Sequence, residues 1–207
     1  GPIVPPMSSE ADGLYRKGVQ AQQAGKPAEA ERWHRAGLEL RHQLGDAPGE
    51  AKAAHILALL LHGLGRTGEA AELYRRALPL YRGSEQALGL ADAAYQLADI
   101  LSDKGDLAGA DEMFRRSLAA QEGLFGHDDL MVQTLFGLAR AAQKAGKLDT
   151  AQEHLARCLA IEERREAVEN RVEILLRLSQ VARDRGRRDE AEEFLRACRE
   201  LGSESGE

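Results

Sequence analysis

At 207 residues, with 30% charged and only 4% aromatic side chains, the chain has to build its core from Ala and Leu rather than from large rings. Its formal net charge of -6 argues against nucleic acid, whose binding rests on clustered Lys and Arg. Two cysteines make no disulfide framework at this length, and no apolar run reaches the ~18 residues that span a membrane.

Gly1-Pro2-Ile3-Val4-Pro5-Pro6 reads as an expression remnant ahead of Met7, and residues 1–7 are expected to lie outside the fold. With no signal-peptide pattern at this start, the expected location is cytoplasmic. Ser8 or Ser9 is expected to cap a first helix reaching about Ala24, with Glu10 and Asp12 in its first turn. Gly25 stops it, and Pro27 suits the first turn of a second helix ending near Gly45. The same unit then recurs. Helices are expected at 47–64 and 67–82, 84–104 and 107–122, 128–145 and 148–163, and 165–185 and 188–201. Pro79 should end or kink its helix early, and Ser84 is a candidate cap. Asp128 and Asp129 are expected to cap the next helix rather than to join His127 in a metal or catalytic cluster.

Five alanines mark the recurrence: Ala30, Ala70, Ala110, Ala151 and Ala191, at spacings of 40, 40, 41 and 40. Each stands five residues after a glycine (Gly25, Gly65, Gly105, Gly146, Gly186), and seven after it comes a small residue (Gly37, Ala77, Ser117, Cys158, Cys198). A fixed period of this size means stacked supersecondary units, each burying its apolar face on its neighbours. Cys158 and Cys198 occupy the small position, so they read as buried packing residues. Gly63-Leu64-Gly65-Arg66-Thr67-Gly68 matches a dinucleotide fingerprint, but that motif needs a preceding strand, and no alternating pattern occurs in the chain. In the fifth unit, Arg199 replaces the Leu of the other four (Leu38, Leu78, Leu118, Leu159), which suits a solvated end. The tail 202–207 is expected to be disordered.

These units resemble tetratricopeptide repeats, and the long 40-residue form resembles the kinesin light chain type. The pattern is clearest in Thr134-Leu135-Phe136-Gly137-Leu138-Ala139, Gly146-Lys147-Leu148, Ala151 and Cys158-Leu159, after the turn Leu124-Phe125-Gly126-His127-Asp128-Asp129. The resemblance implies an all-α fold, a right-handed α-solenoid of five TPR helix–turn–helix repeats with about ten helices. The expected repeats are 8–45, 46–83, 84–125, 126–164 and 165–201, forming one domain over 8–201. It also implies a protein-interaction module whose concave face is lined by the first helix of each pair. Where such relatives often carry paired Asn, this chain has Phe136-Gly137, and Asn170 is its only Asn. A carboxylate clamp of Asn and Lys therefore has no residues here.

Counting back from each turn glycine divides the first helices into faces. Positions eleven, eight, seven and four before it are almost wholly apolar, with Lys17 the one charge among them, and are expected inside. Positions ten, six and three share another face. The first of them runs Tyr15, His55, Tyr95, Phe136, Leu176, a column of rings and a large aliphatic that repeat packing does not require. With Val19, Leu59, His62 and Asp99 from the same face, and Arg140 and Lys144 as cations opposite Asp99 and Asp103, these form the candidate partner-binding set. His55 and His62 are two turns apart, roughly 10 Å, too far for one metal ion. No catalytic constellation, metal site or cofactor motif is expected. The function read from the sequence is a non-catalytic adaptor or scaffold binding a peptide or helix of a partner protein, with no nucleic acid and no membrane insertion. The alternative is a structural module that self-associates, as a homodimer or larger homo-oligomer, through a solenoid end or edge near Trp33.

Overall fold

The structure, a computed structural model, describes residues 6–204. Of the expected remnant 1–7, residues 1–5 lie outside the described residues, as do 205–207 of the tail, whereas Pro6 and Met7 belong to the first helix. Among those described there are ten α-helices and no strand: α1 (Pro6–Gln23), α2 (Pro27–Gln43), α3 (Ala47–Gly63), α4 (Thr67–Ala77), α5 (Ala87–Asp103), α6 (Leu107–Gln121), α7 (Asp128–Lys144), α8 (Leu148–Arg164), α9 (Val168–Asp184) and α10 (Arg188–Glu204). The fold is thus the all-α helical-repeat fold that the period implied. No described helix is long and apolar enough to cross a membrane.

The five glycines that set the register all sit in the left-handed region, at φ +71° (Gly25), +80° (Gly65), +85° (Gly105), +76° (Gly146) and +77° (Gly186). Each ends a first helix in the same way. The amide of the following residue donates back across the last turn, as from Arg66 to the Leu61 carbonyl at 2.9 Å and from Lys147 to that of Ala142 at 2.8 Å. This is the glycine-terminated helix end, which satisfies carbonyls the helix would leave open. Gly65 belongs to such a turn between two helices, so the dinucleotide-like spacing has a purely local explanation.

The helix ends correct several expectations. α1 begins at Pro6, ahead of Ser8 and Ser9, since proline is accepted in a first turn. Ser84 opens a 3₁₀ turn (Ser84–Gln86) without capping it by its side chain, and α5 starts only at Ala87. Asp128 and Asp129 lie in the first turn of α7, where the helix dipole favours them, but the capping position belongs to His127. Side-chain capping comes instead from Asp46 and Asp106, whose carboxylates accept the amides of Gly49 (3.0 Å) and Gly109 (2.9 Å). α10 runs to Glu204, past the expected end at 201, because Leu201 is buried and the Ser203 hydroxyl donates to the Glu200 carbonyl at 2.8 Å.

The chain divides into two compact units, Gly1–Ile100 and Leu101–Glu207, the division falling within α5. In the first unit α1 packs on α2, α2 on α3 and α3 on α4. Its core is the inward face of α3 (Ala54, Leu57, Ala58, Leu61) against Ala70, Tyr74 and Ala77 of α4, every one fully buried. Each buried Leu contributes about 1.5–3 kcal/mol. Pro79 shortens the second helix as expected: α4 ends at Ala77 and passes into a 3₁₀ turn, Leu78–Leu80. In the second unit α6 packs on α7, α7 on α8, α8 on α9 and α9 on α10. Here Leu135, Leu138, Ala139 and Ala142 of α7, and Leu175, Leu178, Ser179 and Ala182 of α9, are buried. The two cysteines behave alike. Cys158 is buried and Cys198 half-buried, and each thiol points at a first-helix carbonyl 26 residues back (Val132, Val172) at 3.7 Å.

Close approach also explains Phe136-Gly137, the departure from paired Asn. The ring of Phe114, fully buried on α6, lies against the Gly137 backbone, and a Cβ there would stand 2.4 Å from two ring carbons. Gly137 is the space that the ring fills.

Candidate functional site

The first unit carries most of the expected partner-binding residues, and it does not treat them alike. Tyr15 on α1 is 42% exposed and Leu59 on α3 is 41% exposed. Val19, His62, Tyr95 and Asp99 are half-buried. His55, expected on the open face, is buried. Its Nδ1 lies 2.6 Å from the Tyr81 hydroxyl and its Nε2 2.6 Å from the Asp92 carboxylate. With Asp92 ionised, Nε2–H donates to it and the tyrosine hydroxyl donates to Nδ1.

The burial of His55 follows from what comes after Pro79. Beyond the 3₁₀ turn, Tyr81 takes extended backbone (φ -70°, ψ 131°) and its ring lies over Gly89 of α5, where a Cβ would be 2.8 Å from a ring carbon. Tyr74 packs edge-on against both His55 (5.8 Å between ring centroids) and His62 (6.2 Å). Burial and the charge of Asp92 push the Tyr81 hydroxyl up to about 12 and raise that of Tyr74 further. A Tyr–His–Asp row of this kind invites a catalytic reading. Its polar groups are spent on one another, however, and its tyrosine is driven away from ionisation. It is a buried tie joining the two helices of one repeat to the start of the next.

A different cluster in the same unit is open. Between α1, α2 and α3 lies a cleft of about 100 Å³, with Tyr15, Trp33, His34, Gly37, Ala53 and Ile56 among its walls. The Tyr15 and His34 rings are 6.3 Å apart. His34 is buried, its pKa lowered by desolvation, and its Nε2 is 2.7 Å from the Gln22 side-chain oxygen. Gly18 leaves room for that imidazole, since a Cβ there would lie 2.4 Å from the ring. The amine of Lys17 stands 4.6 Å from the Trp33 ring centroid, and that of Lys52 stands 6.0 Å from the Tyr15 centroid. Arg41 also reaches the cleft, but Asp12 and Asp46 both pair with it. From the sequence, Trp33 marks only the end or edge of the self-associating alternative. The sequence signal for the cleft is Lys17, the one charge in an inward-facing row of five repeats.

In the second unit Phe136 is half-buried under the Arg177 guanidinium, 5.1 Å from the ring centroid. Arg140 and Lys144 stand exposed one turn apart on α7, and Leu176 on α9 is 50% exposed. Phe125, in the turn before α7, is 93% exposed. Glu162 is fully buried and held by Arg165 (2.9 Å) and by the amide of Asn170 (3.2 Å), so the only Asn of the chain is used in packing.

Comparison with known proteins agrees with this architecture. A family model described as tetratricopeptide repeat matches residues 9–83 and 89–164, and another of the same description matches 172–197. Among solved structures, BtubC (BKLC) from P. vanneervenii superimposes with a TM-score of 0.75 at 20% identity, over 97% of this chain and 82% of that one. A Podosopora anserina chain described as a kinesin light chain of nearly identical TPR-like repeats gives 0.72 at 22% identity, over 95% and 97%. MamA from Desulfovibrio magneticus RS-1 gives 0.71 at 15% identity, over 96% and 98%. At these identities the likenesses establish the fold alone. No curated protein matches the chain in sequence.

Proposed function

This chain belongs to the tetratricopeptide repeat family, and on that premise we propose that it is a non-catalytic cytoplasmic adaptor, binding a peptide or helix of a partner protein on the open face of its first helices. The observation that carries the reading is the exposure of large apolar side chains at the groove positions: Tyr15 at 42%, Leu59 at 41% and Leu176 at 50%. Leu59 stands six residues before its turn glycine, and Tyr15 and Leu176 stand ten before theirs. Although His55, also ten before its glycine, is buried, these three side chains stay open to solvent and available for a partner. Tyr15 and His62 add a polar handle to an apolar body, which suits an interface. On this reading His55 acts indirectly, by fixing the helix that carries Leu59 and His62.

The test uses peptides selected by display on the full chain, with affinities read by fluorescence anisotropy. Leu59→Asp and Leu176→Asp alter exposed positions and leave the helices intact. At least one should weaken a selected peptide tenfold or more. The proposal fails if no peptide is selected, or if every selected peptide binds both variants as it binds the parent. Self-association is the second reading, and one observation favours it: the open ring-lined cleft of the first repeat.

A further inference from the structure

Resting on that second reading, we propose that the Tyr15–Trp33 cleft is the docking site for the Phe125 turn of a second copy of this chain. Two features without a task in the fold fit each other. One is a projecting ring. Gly123 and Gly126, both in the left-handed region (φ +84° and +81°), bracket Leu124-Phe125. The Leu124 amide is held by the Gln121 carbonyl at 3.0 Å. This turns Leu124 half inward and leaves Phe125 93% exposed, the most exposed large apolar side chain among the described residues. Nothing in helix–turn–helix packing asks for a bare phenyl group there. The other feature is an open, ring-walled cleft of about 100 Å³. An enclosed cavity of ~150 Å³ takes up benzene, so an open cleft of this size accepts the outer part of a phenyl ring. Tyr15 and Trp33 offer it aromatic walls.

Charge complements shape. Around the cleft, Lys17 and Lys52 are exposed, and each sits over a ring, neither of them in an ion pair among the described residues. Around the projecting ring stand exposed Glu122 and Asp128, neither of them in an ion pair among the described residues. Asp129, next to them, is already paired with Arg165 at 2.5 Å. An apolar knob flanked by two free carboxylates thus matches an apolar hole flanked by two free ammonium groups. Opposed potentials of this kind steer encounter and set register. Every copy carries both patches, so the contact is between unlike surfaces. Such contacts close into rings, with the two-fold dimer as the smallest, or extend into chains.

The test is sedimentation velocity of the full chain from low to high micromolar concentration, at low and high salt. The average mass should rise with concentration, less so at high salt. Phe125→Ala, in an exposed turn, should keep the circular dichroism of the parent and raise the dissociation constant about tenfold or more. Lys17→Glu with Lys52→Glu should stay monomeric over the same concentration range. When that double variant is mixed with one carrying Glu122→Lys and Asp128→Lys, association should return. A mass that rises equally in the Phe125→Ala chain overturns this docking site while leaving self-association standing. A parent chain that is monomeric throughout overturns both.

Discussion

The contact between Gly137 and Phe114 makes a demanding prediction, because two well-known effects oppose each other there. Gly137 lies in the middle of α7, where replacing glycine by alanine ordinarily gains about 1 kcal/mol of helix stability. An added Cβ, however, would stand 2.4, 2.4 and 2.9 Å from three ring carbons of Phe114. Ordinary carbon contacts lie at about 3.5–4.0 Å, so the ring would have to retreat by roughly 1 Å. Phe114 is fully buried and has no solvent to move into. Forcing extra volume into a packed site costs about 1–3 kcal/mol or occasionally more, and contacts this short belong at the upper end. The net result expected for Gly137→Ala is a loss of about 2 kcal/mol, or roughly 4–8 °C in Tm for a cooperative unit of this length. Gly13→Ala is the control. It is also mid-helix, and its Cβ would meet only the tip of Arg16 at 3.9 Å, so it should stabilise by up to about 1 kcal/mol. Urea unfolding of both variants, with Phe114→Leu added to the first, completes the assay. Trimming the ring should make Gly137→Ala less harmful, a coupling that only neighbours show. If Gly137→Ala stabilises the chain as Gly13→Ala does, the reasoning from close approach is refuted.

Other consequences can be checked on the same protein. Glu166 holds φ +56°, the one non-glycine residue in the left-handed region among those described, so Glu166→Gly should raise stability by about 0.5–1 kcal/mol in denaturant titrations. Tyr81→Phe removes the hydroxyl that meets His55 Nδ1 and should cost about 1–3 kcal/mol, chiefly by leaving a buried acceptor without its donor. His154 is buried with neither ring nitrogen hydrogen-bonded among the described residues, and its pKa lies below the ordinary 6.5, first through desolvation and then through Arg115 and Arg157. The unfolded chain therefore takes up this proton first as pH falls. The associated stability is intact above pH 6.5 and declines from there down through the lowered folded value. His34 adds to the same decline, and His154→Leu should flatten the pH profile of Tm below 6.5 relative to the parent. Burial pushes the Cys158 thiol up to about 12, so alkylation at pH 8 should be at least about tenfold slower in the folded chain than in urea.

What the sequence discloses here depends on the range of the interaction concerned. The turn glycines are legible because a left-handed backbone is a local demand that one residue type meets best. The inward faces are legible because five repeats average out local noise: Ala54 to Leu61, Leu135 to Ala142 and Leu175 to Ala182 fall inside as counted from those glycines. The candidate site is legible only in part. Tyr15, Leu59 and Leu176 lie exposed where the count puts them, whereas His55 is buried by a ring 26 residues further on. That ring arrives by way of Pro79, a 3₁₀ turn and the gap over Gly89, and no helical count includes such a path. The Trp33 cleft depends in the same way on lysines of two other helices.

The positions where a repeat departs from its own pattern fall into two kinds, and burial separates them. Gly137 departs from the paired Asn of similar repeats, and Tyr81 from a continued helix. Each departure is absorbed inside, where a ring fills the space that a neighbouring glycine leaves. Such departures are matched within the chain and need no partner. Lys17 and Phe125 depart outward. A charge stands in an otherwise apolar row, and a bare ring tops a turn held by two glycines. An exposed phenyl group loses favourable burial, and a lysine over Trp33 keeps a cleft edge charged that alanine or leucine would close. In an isolated chain Phe125 gains nothing from burial, and Lys17 gains only the contact with the Trp33 face, about 0.5–1 kcal/mol. The larger gain comes when something else covers them, so the outward departures, rather than the recurrent turn motif, are where a partner of this repeat protein should be sought.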